Sequence, residues 1–192
     1  MAADNEGELF DIVDKNNVVI GQEPRAKVHA LGLLHRAVYC FVWNSQGELL
    51  IQQRSPKKKI GPGKWDLSCA EHLQPGETFL QGAQRGLLEE LNISAAITSG
   101  PLAPTHQREH REGESFVDRE FVESYCLEGY DGPFTCDPAE VADAKFVTML
   151  ELKEMFRERP DDFTPWFRDE IGLLGWLSTP SGAAAEAVVL TS

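Results

Sequence analysis

The sequence predicts an α/β sandwich, and three observations carry that reading. Segments with the two-residue alternation of strands are intermixed with segments of helical spacing in one unit, with no internal repeat. The chain has 192 residues, the size of one ordinary domain or of one domain with a tail. Its residues are 42% hydrophobic and 9% aromatic, enough for a packed core, which argues against wholesale disorder.

The elements follow in order. Leu9 to Ile20 holds two short apolar runs around Asp14-Lys15-Asn16-Asn17, the pattern of a hairpin. His35 to Trp43 is strand-like; a turn at Asn44-Ser45-Gln46-Gly47 leads to a second strand, Leu49 to Gln53. A polar loop, Arg54 to Lys64, contains Pro56, Gly61, Pro62 and Gly63. In Thr78 to Leu91, Phe79, Leu80, Ala83, Leu87 and Leu91 recur at helical steps, with Thr78 as N-cap. Phe116 to Leu127 and Ala144 to Val147 read as strands, and Met149 to Arg159 as a helix. A last helix spans Phe163 to Leu177, with Thr164 capping and Pro165 in its first turn. A single domain is expected over residues 1–177, and a disordered tail over 178–192, where Pro, Gly and an Ala run end the periodicity.

Charge narrows the function classes. Lys and Arg number 18 against 31 Asp and Glu, a net −13, so general attraction to nucleic acid or anionic lipid is not expected. A phosphate compound would have to be held by a local basic patch or a metal ion. No apolar run approaches the roughly 20 residues that span a bilayer. The acidic start, Met-Ala-Ala-Asp-Asn-Glu-Gly-Glu, fits neither a secretory signal nor a transit peptide. Cys40, Cys69, Cys126 and Cys136 form no C-x-x-C pair, so free thiols and a cytoplasmic location are expected, with Cys40 and Cys126 as small core residues.

The segment Glu77 to Ile93 is the most informative. Glu89 and Glu90 are adjacent and would repel on a helix without a positive partner; Arg85, four residues before Glu89, can supply one. With Glu77 at the same edge, these hard oxygen ligands suit Mg²⁺ or Mn²⁺. Glu77, Arg85, Leu87, Glu89, Glu90 and Ile93, preceded by His72-Leu73-Gln74-Pro75-Gly76, resemble the Nudix box G-x5-E-x7-R-E-U-x-E-E-x-G-U, U being apolar. The resemblance implies an α/β/α sandwich with a mixed sheet, Mg²⁺ held by box glutamates, and hydrolysis of a diphosphate linked to another moiety. Three positions depart from the box. Its first Gly is Glu71, its last Gly is Asn92, and the first Glu after the Arg is Gly86. Positions 86, 89 and 90 share a helix face, so Gly86 removes one carboxylate from it and implies a weakened or rearranged metal site. Gly82 and Gly86 each cost the helix about 1 kcal/mol relative to Ala.

Further stretches are similar to one branch of that family, the isopentenyl diphosphate isomerases. They are Gly32 to Ala37, Arg54 to Lys59, Pro62 to Trp65, His72, Val117 to Glu120 and Phe163 to Trp166, in the isomerase order. The resemblance implies a divalent metal held by His29, His35, His72, Asp118 and Glu120, a ligand set suited to Mn²⁺ or Zn²⁺. Arg54, Lys57, Lys58, Lys59 and Lys64 cluster beside this set, and Arg54, Lys58 and Lys64 are the expected diphosphate contacts. Trp166 matches an aromatic that faces a carbocation-like carbon through a cation–π contact. The isomerase's protonating Cys falls on Ala70, with Cys69 one residue early and therefore on the opposite strand face. Its diphosphate-binding Arg falls on Gly86.

Three readings follow, in this order. The first is a metal-dependent hydrolase of a small diphosphate, of the isoprenoid or nucleoside class. In it Glu77, Glu89 and Glu90 hold the metal, and Glu120, Glu123 or Glu140 serves as base. The second is a non-catalytic binder of a diphosphate or a partner protein. The third is an isomerase in which Cys69 shifts into the acid position.

Overall fold

Asp14 closes the expected hairpin by accepting from the backbone N–H of Asn16 and Val18, and Asn17 takes a left-handed conformation, φ 62°. This is seen in a computed structural model that describes residues 5–113 and 115–177. The flanking strands, β1 (Leu9–Val13) and β2 (Val19–Pro24), pair antiparallel. Helix α1 (Arg25–Leu31) follows and was not expected. Seven residues give too few turns for a periodic signal; its marks in the sequence are Pro24 before it and Gly32, left-handed at φ 60°, after it.

Both strands expected around the Asn44–Gly47 turn form, β3 (Leu34–Val42) and β4 (Leu49–Arg54). They join different sheets. Strands β5 (Trp65–Asp66), β6 (Cys69–His72), β7 (His106–Glu112), β8 (Phe116–Leu127) and β9 (Val141–Val147) complete them. One sheet is mixed, in the order β6-β3-β8-β7, with β3 and β8 parallel and the other pairs antiparallel. The other is antiparallel, in the order β5-β4-β9. Strand β9 starts at Val141 rather than Ala144. Strand β7, His-Gln-Arg-Glu-His-Arg-Glu, has no apolar residue, so its alternation carried no hydrophobic signal.

Alternate residues of β3 feed two cores. Val38, Cys40 and Val42 pack with Cys69 of β6 against Ala83, Leu87 and Leu91 of helix α2 (Phe79–Leu91). Tyr39 and Phe41 pack with Leu49, Ile51 and Val122 against Leu152 of α3 (Met149–Glu158) and Phe167 and Ile171 of α4 (Pro165–Leu173). Helices on both sides of a mixed sheet give the expected α/β/α sandwich. Cys40 and Cys126 are buried, as expected of small core residues, and the four cysteines are free thiols.

Thr78 caps α2 through a reciprocal capping box with Gln81, and Asn92 closes it in the left-handed conformation, φ 55°. Thr78→Ala should therefore lower the free energy of unfolding by about 1 kcal/mol, read as a smaller urea midpoint with an unchanged slope. Helix α4 runs from Pro165 to Leu173 rather than from Phe163 to Leu177, with Pro165 in its first turn as expected. Thr164 occupies its N-cap position, yet the hydroxyl donates to Asp66 (2.8 Å) instead of accepting from the helix. The expected tail, 178–192, lies outside the described residues. Among the described residues, no helix is long and apolar enough to cross a membrane.

Candidate active site

Strand alternation places Asp118 and Glu120 on one face of β8, and the parallel register sets His35 of β3 opposite Glu120. Strand β6 brings His72 beside them opposite Ala37, and α1 delivers His29. All four elements aim at one point. Asp118 Oδ1 lies 3.2 Å from His35 Nε2, 3.7 Å from His29 Nε2 and 3.9 Å from His72 Nε2. His72 Nε2 is also 3.0 Å from Glu120 Oε1. Phe10 of β1 stacks on His35 and His72, roofing the cluster with an apolar ring.

The three Nε2 atoms and Asp118 Oδ1 are buried and lack a properly oriented hydrogen-bond partner, and the four ligand atoms all lie within 4.8 Å of one another. Four converging, buried and unsatisfied ligand atoms fit a bound cation, because buried polar groups are otherwise paired. The Nδ1 of His35 lies 3.0 Å from the Leu33 carbonyl, an arrangement that fixes the ring and leaves Nε2 for a metal. Nitrogen and carboxylate together suit Mn²⁺ or Zn²⁺.

Charge inside the cluster is polarised. Burial, then the neighbouring His72, push the His29 imidazole down to about 3, so it is neutral. Burial opposes the charge on His72, but contacts with Asp118 and then Glu120 outweigh it and hold the ring at about 9. Asp118 stays ionised far below the usual range, because contacts with His35 and His72 overcome its burial. A metal arriving at neutral pH must displace the His72 proton, while His29 has none to lose. Affinity should therefore rise about tenfold per pH unit up to about 9 and then flatten. Calorimetry in buffers of different ionisation enthalpy should show net proton release as metal binds.

On α2, Arg85 organises the carboxylates. It donates to Glu77 at 2.8 and 3.1 Å, to Glu71 at 3.0 Å, to Glu89 at 3.1 Å and to the His72 carbonyl at 2.8 Å. Glu77 was expected as a metal ligand, but both its oxygens serve Arg85 and one also accepts from the Gln74 backbone (2.8 Å), which fixes the loop before the helix. Glu90 is buried (5% exposed) and accepts from Gln52 at 2.8 Å. Burial, then the nearby Glu71 charge, raise its carboxyl well above the usual range. The helix face at Gly86 is not a void. A Cβ there would stand 2.4 Å from Glu71 Cγ and 2.6 Å from Cys69 Sγ.

A cavity of about 240 Å³ joins the two halves, with Glu71, Glu89 and Glu90 on one side and His29, Asp118 and Glu120 on another. Lys58 enters it paired with Glu140 (2.6 Å). Arg54 lines it while bound to the buried Asp66 (3.1 Å). Asp66 also accepts from Trp166 Nε1 (3.0 Å), which sets the indole in the wall. The ring of Trp166 already carries Arg54 on it at 5.2 Å and Arg108 at 5.4 Å.

Several expected residues fall elsewhere. Lys64 is half-buried outside the cavity wall, its carbonyl accepting from the Arg54 backbone in the turn that closes the loop. Glu123 faces away from Glu120 by strand alternation and binds Thr105 and Tyr125. Cys69 is buried in the α2-facing core opposite Cys40, and Ala70, opposite Tyr39, lines the cavity. The expected shift of Cys69 into an acid position does not occur, because the pairing with β3 is regular there.

Arg108 is the residue that sequence reasoning missed. It projects from β7 into the cavity and binds Glu120 at 2.5 Å, directly across the strand pair. Burial opposes the Glu120 charge, but Arg108 outweighs it and lowers the carboxyl. The signal available was the alternation His106, Arg108, His110 opposite the Asp118 and Glu120 strand.

The protein is thus an α/β/α sandwich with an acidic helix and a histidine–carboxylate cluster around one polar cavity. The chain belongs to the Nudix family: the model of the NUDIX domain matches residues 33–167. It is 36% identical over 165 residues to the isopentenyl-diphosphate Delta-isomerase of Streptomyces avermitilis, covering 84% of this chain and 81% of that one. It is 32% identical over 185 residues to the enzyme of that name from Paenarthrobacter aurescens, covering 95% of this chain and all of the other. Among solved structures it resembles DR0079 from Deinococcus radiodurans, with a TM-score of 0.60, 26% identity, and 79% and 90% of the two chains covered.

Proposed function

We propose that the chain is a metal-dependent Nudix hydrolase that cleaves a small organic diphosphate, of isoprenoid or nucleoside class, in an isomerase-like pocket. The observation that supports this reading is the cavity lining, which includes acidic residues of α2, the histidine cluster, five cationic side chains and Ala70, the position that matches the isomerases' thiol. A bound divalent ion, Mg²⁺ or Mn²⁺ at the helix and Mn²⁺ or Zn²⁺ at the histidines, neutralises phosphate charge and lowers the pKa of water. In this reading Lys58, Arg54 and Arg108 hold the phosphates, Arg108 with a guanidinium that matches phosphate geometry. Glu120, held ionised by Arg108, or Glu140 accepts the proton of the attacking water. Water adds to the terminal phosphorus, the bridging P–O bond breaks, and a monophosphate and orthophosphate leave. Free thiols are in keeping with a reducing compartment such as the cytoplasm.

The names of the relatives support a second reading, isomerisation of isopentenyl diphosphate, more directly than they support hydrolysis. That chemistry must protonate one face of the alkene and deprotonate the other, and among the described residues no cysteine lines the cavity. Orthophosphate release from a panel of nucleoside, sugar and isoprenoid diphosphates, with and without Mg²⁺ or Mn²⁺, tests the hydrolase. Metal-dependent release is expected from at least one member. No release, with isopentenyl diphosphate converted to its dimethylallyl isomer, transfers the assignment to the isomerase.

A further inference from the structure

We propose that Glu71 supplies the carboxylate that the Nudix helix lacks at position 86, completing a divalent-cation site with Glu89 and Glu90. The site deepens the hydrolase reading, on which its use in turnover rests; its existence rests on the Glu71–Gly86 exchange and on an unpartnered oxygen of Gln52.

Two departures from the Nudix pattern interlock in space. The pattern has glycine at position 71 and glutamate at position 86, and this chain has Glu71 and Gly86. The Glu71 side chain leaves β6 on the α2 side, opposite Val38, and its Cγ occupies the place of an absent Gly86 Cβ, only 2.4 Å away. Any side chain at 86 would expel it. The carboxylate then reaches the same cavity as Glu89 and Glu90, sharing Arg85 Nη1 with Glu89. Glycine and glutamate have thus exchanged places between two elements while a carboxylate remains in the same region.

An independent oxygen points to a ligand there. Gln52 is 2% exposed, faces the cavity and donates Nε2 to Glu90, but its Oε1 is buried with no hydrogen-bond partner. Carboxylates and an amide oxygen are the hard donors that Mg²⁺ and Mn²⁺ prefer. Arg85 moderates the repulsion by binding both Glu71 and Glu89.

The test keeps the histidine cluster out of the reading. Protein carrying one equivalent of Zn²⁺ is titrated with Mn²⁺, and free Mn²⁺ is followed by its paramagnetic resonance signal. Wild type should bind a further Mn²⁺, and Glu71→Gln should bind it about tenfold more weakly or worse. The triple variant Cys69→Ala, Glu71→Gly, Gly86→Glu, which clears both clashing side chains and returns the carboxylate to the helix, should recover affinity lost in Glu71→Gln. Wild-type Mn²⁺ affinity in Glu71→Gln overturns the proposal, because it leaves Glu71 only its ion pair with Arg85. If the triple variant does not fold, that comparison decides alone. Glu71-dependent Mn²⁺ binding without diphosphate turnover would refute the hydrolase and leave this site standing; turnover with Mn²⁺ affinity indifferent to Glu71 would do the reverse.

Discussion

Glu90→Gln is expected to lower diphosphate turnover by about a thousandfold while leaving the fold intact. Glutamine keeps the shape of the side chain and can still meet Gln52, so the change removes charge and little else. Glu90 is buried, yet it stands within the influence of the Glu71 charge. A buried carboxylate beside another carboxylate is costly unless a cation is to be bound there. The measurement is kcat for orthophosphate release at saturating metal, with circular dichroism confirming the fold. A wild-type kcat would remove Glu90 from the machinery.

The second large effect concerns the histidine cluster. Asp118→Asn should weaken the metal held there by about a hundredfold, because Oδ1 lies 3.2 Å from His35 Nε2 and within 4 Å of the Nε2 atoms of His29 and His72 as well. At a metal concentration far above both dissociation constants, that weakening removes about 2.7 kcal/mol of metal-linked stability. The signature is differential. A chelator should lower the melting temperature of the wild type clearly and that of Asp118→Asn much less, with metal content by mass spectrometry following the same order. Equal metal content in the two proteins would show that the cluster is a buried ion-pair network and not a ligand set.

Much of the fold was legible because apolar periodicity reports burial. The central strand, the capped α2 helix and the strand carrying Asp118 and Glu120 all announced themselves, down to Asn92 at the left-handed helix end. Among the elements that escaped were α1 and β7, the first too short for periodicity and the second without apolar residues. Both matter to the site, since α1 carries His29 and β7 carries Arg108. The separation of Cys69 from the cavity followed from strand alternation. The notch at Gly86 did not, because nothing in a linear spacing tells that the side chain of Glu71 crosses over to fill it. Glu77 and Lys64 were legible as charges near the site, but whether a charge faces a cavity or is consumed by a neighbour depends on the loop backbone. Here the Gln74 amide and Arg85 claim Glu77, and the closing turn takes Lys64 outward.

On the proposed hydrolase reading the protein breaks a diphosphate, and among the described residues no cysteine lines the cavity to move a double bond. The most direct test of that reading follows isopentenyl diphosphate with the metal-loaded protein by phosphorus and proton resonance in one sample. The account predicts that diphosphate signal gives way to orthophosphate and a monophosphate, while the double bond stays in place. Migration of the double bond with the diphosphate intact would contradict it.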